Sequence, residues 1–246
     1  MQTKPLFHMD AGGPPERPQV SVVGLGCNNF GMRIDEAETR AVVHKALDCG
    51  INFFDTADMY GGGGKSEEYL GKALGPRRKE IILATKFGYS VNGSKENVIA
   101  SVEASLKRLG TDVIDLYQIH KPDPDTPIEE TLGAMDRLIR DGKLRFIGCS
   151  NFSADQLDQA MRAAADHGLA RFVTLQNRHS VLHREPEAEV LPACARHGVG
   201  FLPFFPLENG LLTGKYRKGE TPDENTRLGA MQHFADMALT EENFAI

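Results

Sequence analysis

Short continuous apolar runs alternate along this chain with longer stretches of helical periodicity. The runs at 20–24, 51–54, 81–84, 113–119, 146–149, 172–175 and 199–202 keep their apolar character on successive residues, as parallel strands buried on both faces do. The segments between them begin and end like helices. Asp35 with Glu38, Thr126 with Glu129, and Ser153 with Gln156 have capping-box spacing, and Pro127 falls where a first helical residue needs no amide hydrogen. Ile99, Val102, Leu106 and Leu109 line one helical face for packing on a sheet. Gly50, Gly110, Gly142, Gly168 and Gly198 fall near helix ends, where a left-handed residue is often required. Strand–helix–strand repetition of this kind predicts a parallel sheet with right-handed crossovers. After Leu202 the pattern breaks into a Pro- and Gly-rich stretch and a short mixed tail to Ile246. No eighth strand is visible, although a closed eight-stranded barrel requires one and a helix to cover it.

Length and composition narrow the picture. The 246 residues, 41% of them hydrophobic, suit one α/β barrel domain over 1–246, with the Pro-rich residues 1–18 as a loose lead-in. A formal net charge of −6 with interspersed acids and bases gives no basic footprint for nucleic acid or an anionic membrane. No apolar run approaches the ~18 residues needed to span a bilayer. Cys27, Cys49, Cys149 and Cys194 are far apart, form no C-x-x-C pair and offer no metal spacing, so they read as reduced thiols in a cytoplasmic protein.

Candidate chemistry concentrates at one place. Asp55 follows the second run, Lys86 the third, and His120 ends the fourth; Ser150 and Asn151 follow the fifth, Gln176 and Asn177 the sixth. In a parallel barrel all of these lie at the carboxyl-end face, where strand-to-helix loops build active sites. A tyrosine is a weak acid, with a reference pKa of ~10. A nearby ammonium lowers that value and a carboxylate can anchor the ammonium. Tyr60, Lys86 and Asp55 supply these parts, and His120 can orient a carbonyl oxygen. Such a site protonates an alkoxide as hydride arrives from a cofactor.

The stretch from Ile51 to Gly61 (INFFDTADMYG) closely resembles the aldo-keto reductase motif that carries a catalytic aspartate and tyrosine. Similar matches are ATK ending at Lys86, LYQIH ending at His120, IGCSN ending at Asn151, LQN ending at Asn177, and PLENGLLTGK over 206–215, all in family order. The resemblance implies a (β/α)8 TIM-barrel fold with about seven of eight strands visible and the C-terminal part absent. It implies reduction of aldehydes or ketones with NADPH or NADH, without a metal. Tyr60 would be the general acid tuned by Lys86 and Asp55, with His120 orienting the substrate. Ser150, Asn151 and Gln176 would hold the nicotinamide carboxamide, and Gly26, Cys27, Asn28 and Asp55 would line the cofactor's reactive end. Phe204 would stack on the nicotinamide. Pro206, Leu207, Gly210, Leu212, Gly214 and Lys215 would wrap the pyrophosphate.

Three departures stand out. Phe204 replaces a frequent tyrosine. Glu208 places a carboxylate where a small neutral residue is usual. The region that normally contacts the adenine ribose and its 2′-phosphate is missing. Gly61 to Ser66 looks superficially like a phosphate-binding P-loop, but that pattern needs glycine at 59, where Met59 stands. The other alternative is a non-catalytic or scaffold homologue, with open barrel edges that invite self-association.

Overall fold

A computed structural model describes residues 1–8 and 13–245. Its centre is a seven-stranded sheet, every strand parallel to its neighbours and in chain order: β3 (Leu25–Gly26), β4 (Phe53–Asp55), β5 (Ile82–Phe87), β6 (Ile114–Ile119), β7 (Leu144–Ser150), β8 (Phe172–Arg178) and β9 (Gly200–Phe204). Helices α1 (Glu36–Asp48), α3 (Lys65–Leu74), α4 (Lys95–Leu109), α5 (Ile128–Arg140), α6 (Ala154–His167) and α7 (Val190–His197) form the crossovers. The short turn Tyr60–Gly63, α2, precedes α3. This is an α/β fold of the TIM-barrel type, open where a closed barrel would carry a further strand. Among the described residues no helix is long and apolar enough to cross a membrane.

Six of the seven expected strands form close to where the apolar runs place them. Five of them extend further toward their carboxyl ends, so Asp55, Lys86, Ser150 and Gln176 belong to strands rather than following them, while the fourth run ends at Ile119 as expected. The ladder continues because a polar side chain at a strand end points into the barrel mouth while its backbone still pairs. Capping boxes form at Asp35–Glu38 and Ser153–Gln156. The one expected at Thr126 does not. Pro127 sits at the N-cap position of α5, one residue before the helix, and the Thr126 side chain bonds Asp123 instead. Gly50, Gly110, Gly142, Gly168 and Gly198 all have positive φ, between 62° and 79°.

The first strand is a correction. Residues 20–24 do not enter the barrel: Gln19–Ser21 (β2) pairs antiparallel with Thr3–Pro5 (β1), and Val22 and Val23 are exposed. The barrel starts at Leu25. Nor is all of the lead-in loose, although residues 9–12 lie outside the described residues. Leu6 and Phe7 are buried, Phe7 meets Phe146 edge-on at 5.5 Å, and the His8 amide donates to the Gly198 carbonyl at 2.8 Å. The hairpin thus plugs the amino-terminal end of the barrel.

The tail is also more ordered than its composition predicts. The turn Glu208–Thr213, α8 (Arg227–Ala230) and α9 (Gln232–Ala238) enclose a second small core of Leu211, Tyr216, Leu228, Ala235 and Ala238. The two sheet edges are poor templates for pairing. β3 is two residues long, and β9 carries Pro203. Because the Phe204 carbonyl accepts from His179 on the β8 side, Pro203 faces the open edge, where it has no N–H to offer.

Candidate active site

The strand ends gather the expected residues around one ammonium. Lys86, at 1% side-chain exposure, donates from Nζ to Asp55 Oδ2 at 2.6 Å and to the Thr56 carbonyl at 2.9 Å. Gln118, from the next strand, donates to the other Asp55 oxygen at 3.2 Å. The Tyr60 ring centre lies 5.2 Å from Lys86 Nζ and 5.8 Å from the His120 ring, edge-on.

Local geometry explains why Tyr60 is delivered there. Thr56 and Asp58 donate backbone N–H bonds to the carbonyls of Ala84 and Lys86, laying the segment after β4 along β5. The chain then turns sharply through Gly61 at φ 72°. A Cβ on Gly61 would sit 2.7 Å from the Phe30 carbonyl oxygen, so only glycine fits.

The electrostatics differ from the simple expectation for Tyr60. Burial raises its phenol above the ordinary value, and the opposing pull of Lys86 does not cancel this. Burial also works against the Lys86 cation, but Asp55 and Tyr60 outweigh it and hold the ammonium charged. Burial, Lys86 and Lys121 together push His120 down to about 3, so its imidazole is neutral across the physiological range. Its Nδ1 is buried with no partner.

The remaining expected residues divide into groups. Ser150 and Gln176 are register partners, and Ser150 Oγ donates to the Gln176 carbonyl at 2.7 Å. Asn151 adopts φ 61° and donates from Nδ2 to the His120 carbonyl at 2.8 Å, locking three strand ends together. Gly26 pairs with Asp55, but the Cys27 side chain is fully buried and turned toward the Leu25 carbonyl, leaving Asn28 half-buried in the next turn. Phe204 stands edge-on to Phe205, and Leu207, Leu212, Gly214 and Lys215 are exposed on the following loop.

Glu208 settles one departure. Its side chain turns inward at 2% exposure, paired with Arg178 and accepting a bond from Ser180 Oγ at 2.6 Å. It does not point toward solvent at the loop's outer face.

Sequence reading missed Arg178, Ser180, Arg227 and Tyr89. The Arg227 guanidinium lies 5.1 Å and 5.3 Å from the Phe205 and Phe234 ring centres, and its Nε is buried without a partner. It sits in the tail, where no periodicity marked it. Tyr89 meets His120 at 5.2 Å, with Lys121 Nζ 4.8 Å above its ring. Its only signal was its place just after the Lys86 strand. Among the described residues no cluster of His, Cys, Asp and Glu could hold a metal ion.

Comparison with known proteins decides the lineage. The Aldo/keto reductase family model matches residues 22–245. The chain belongs to that family. It is 35% identical over 236 residues to a probable voltage-gated potassium channel subunit beta of Arabidopsis thaliana, covering 91% of this chain and 72% of that protein. It is 35% identical to versiconal hemiacetal acetate reductase of Aspergillus parasiticus, covering 86% of this chain and 71% of that enzyme. It is 37% identical to aldo-keto reductase yakc [NADP(+)] of Schizosaccharomyces pombe, covering 83% of this chain and 62% of that protein. The chain thus spans roughly two thirds of these relatives' lengths. Family membership displaces the P-loop reading, and Gly61 to Gly64, all at positive φ, form the turn that carries Tyr60.

Proposed function

We propose that this chain reduces a small aldehyde or ketone to an alcohol, with Tyr60 as proton donor and NADPH or NADH as the reductant. The observation that carries the reading is the Lys86 ammonium, held by Asp55 against the Tyr60 ring, with the neutral His120 ring edge-on to the same tyrosine.

Bound NAD(P)H supplies the hydride that no side chain can. Residues here fit such a cofactor on their own chemistry. The unpartnered Nε of Arg227 and the cation of Lys215 can bind a pyrophosphate, while the unpartnered Oδ1 of Asn209, inside the 206–215 loop, can accept from a sugar hydroxyl. Gln176, Ser150 and Asn151 would hold the carboxamide, and Phe204 the ring face. The chain's own work is then to place the carbonyl and move one proton. The raised phenol keeps Tyr60 protonated, and its hydroxyl proton passes to the carbonyl oxygen as the carbon is reduced. Lys86 stabilises the phenolate left behind. Neutral His120 has one ring N–H to donate to the same carbonyl oxygen, where negative charge develops. The free thiols fit a cytoplasmic setting.

The test is oxidation of NADPH by a panel of aldehydes, with Tyr60→Phe as control. A general acid contributes about 10²–10⁴-fold, so the variant should lose that much kcat while still binding NADPH. Equal rates in both proteins would refute the assignment. A second reading, a binding subunit that keeps the site but not turnover, is supported by the likeness to the channel-subunit relative. NADPH binding with no aldehyde reduction would favour it.

A further inference from the structure

Glu208 poses a problem that its geometry resolves. A carboxylate beside a candidate pyrophosphate loop should repel the ligand, yet this one is buried inside the loop's base. Arg178 Nη2 donates to Oε2, while Arg178 Nε, at 3.4 Å, and Ser180 Oγ, at 2.6 Å, donate to Oε1. Ser180 Oγ in turn accepts the backbone N–H groups of Leu182 and His183 at 3.1 Å each. Around this anchor the loop holds conformations that side chains other than glycine rarely adopt. Phe205, Glu208 and Asn209 have φ of 54°, 46° and 56°. Such residues persist only where their surroundings over-determine them.

The other end of the anchor is informative. Arg178 ends β8 two residues after Gln176, so the two side chains leave the same face of the strand. One ion pair therefore joins the strand that carries a candidate carboxamide contact to the loop that carries the candidate pyrophosphate contacts.

We propose that the Arg178–Glu208 pair, with its carboxylate buried, is a latch that holds the 206–215 loop in its anion-receiving conformation before the cofactor arrives. Arg178 and Glu208 are then positioning residues for cofactor binding. The inference rests on the reductase reading for the identity of the ligand, and on the geometry alone for the latch. Charge gives it a distinctive signature. Removing Glu208 loosens the loop but leaves a cation nearby. Removing Arg178 loosens the loop and also strands a buried negative charge beside the anion site. Arg178 loss should therefore be the more harmful, and removing both should restore part of what Arg178 loss costs.

The experiment compares the full chain with Glu208→Gln, Arg178→Met and the double variant. It measures amide hydrogen exchange over 206–215 without ligand, NADPH affinity by fluorescence, and kcat and KM for NADPH. Thermal melting checks that each variant is folded. Faster exchange in both single variants is expected. Affinity should fall about tenfold for Glu208→Gln and about a hundredfold for Arg178→Met, with the double variant between them and kcat within about twofold throughout. Unchanged exchange in the folded variants, or faster exchange with unchanged NADPH affinity, overturns the latch. So does an affinity loss in the double variant equal to the sum of the two single losses. If the unaltered chain binds no NADPH, the reductase reading fails and the cofactor role of the pair fails with it, while the exchange rates still decide whether the pair orders the loop.

Discussion

Lys86 Nζ lies 2.6 Å from Asp55 Oδ2, and the pair is sealed from water on the lysine side, where exposure is only 1%. Such a pair is not primarily a source of stability, because desolvating two charges offsets most of their attraction. Breaking it by removing one partner still costs about 3–5 kcal/mol, since the other charge is left buried and alone. Lys86→Met should therefore lower both the melting temperature and kcat, whereas Tyr60→Phe should lower kcat with little change in melting. Comparing the two by calorimetry and steady-state rates separates support of the fold from support of the chemistry. If Lys86→Met melts with the unaltered protein, the buried pair is not formed as described.

His120 gives a pH prediction of definite sign. Its ordinary value of 6.5 falls to about 3 in the fold, chiefly through burial, then through Lys86 and Lys121. Between these values the unfolded chain binds a proton that the folded chain refuses, so stability rises as pH increases from about 3 to 6.5. His120→Gln should flatten that slope in urea melts. The same shift means that no loss of reductase rate between pH 5 and 8 should trace to His120 protonation. Because Tyr60 is raised, its loss as a proton donor should appear only at strongly alkaline pH. An inflection near pH 6.5 that disappears in His120→Gln would contradict this.

Asp58 pulls the other way. Burial first, then the nearby Glu67, lift its carboxyl from 3.8 to about 6, and its Oδ1 has no partner. Here the folded state holds the proton more tightly, so this group's contribution to stability declines as pH rises from about 4 to 6. Asp58→Asn should relieve the buried charge, raising the melting temperature at pH 8 by roughly 2–4 °C and by much less at pH 4. An equal gain at both pH values would point to packing rather than ionisation.

What was legible in the sequence follows from what each signal encodes. The parallel strands after the first and the ring of polar residues at their ends were readable, because double burial and strand-end placement leave marks in hydrophobic order. Asp55, Lys86 and His120 are brought together as that order required. Residues 20–24 misled because an apolar run does not say which sheet it joins, and the partner strand Thr3–Pro5 is too short and polar to announce itself. Burial of Glu208 was equally hidden. Its partner Arg178 is 30 residues away, and only the fold brings β8 beside the loop. The lowered imidazole and the raised phenol depend on three-dimensional burial, which no local pattern reports.

The amino-terminal plug makes the last prediction, and it tests the correction to the lead-in. Phe7 is fully buried against Phe146, and the Leu6 carbonyl oxygen lies 1.9 Å from where a Cβ on Gly200 would stand. Backbone cannot yield as a flexible side chain can, so Gly200→Ala must push the 6–8 segment away from the start of β9. Phe7→Ala removes a large ring from the same seal, for which a cost of about 3–5 kcal/mol is usual. Both variants should melt earlier, and both should expose the hairpin β1–β2 to protease first. Gly133→Ala serves as the control, because a Cβ there meets nothing within 4 Å. It should melt like the unaltered protein or slightly later, since alanine favours the helix that Gly133 occupies. Gly200→Ala melting with that control would mean that the first eight residues do not pack against β9, and that the barrel end is sealed in some other way.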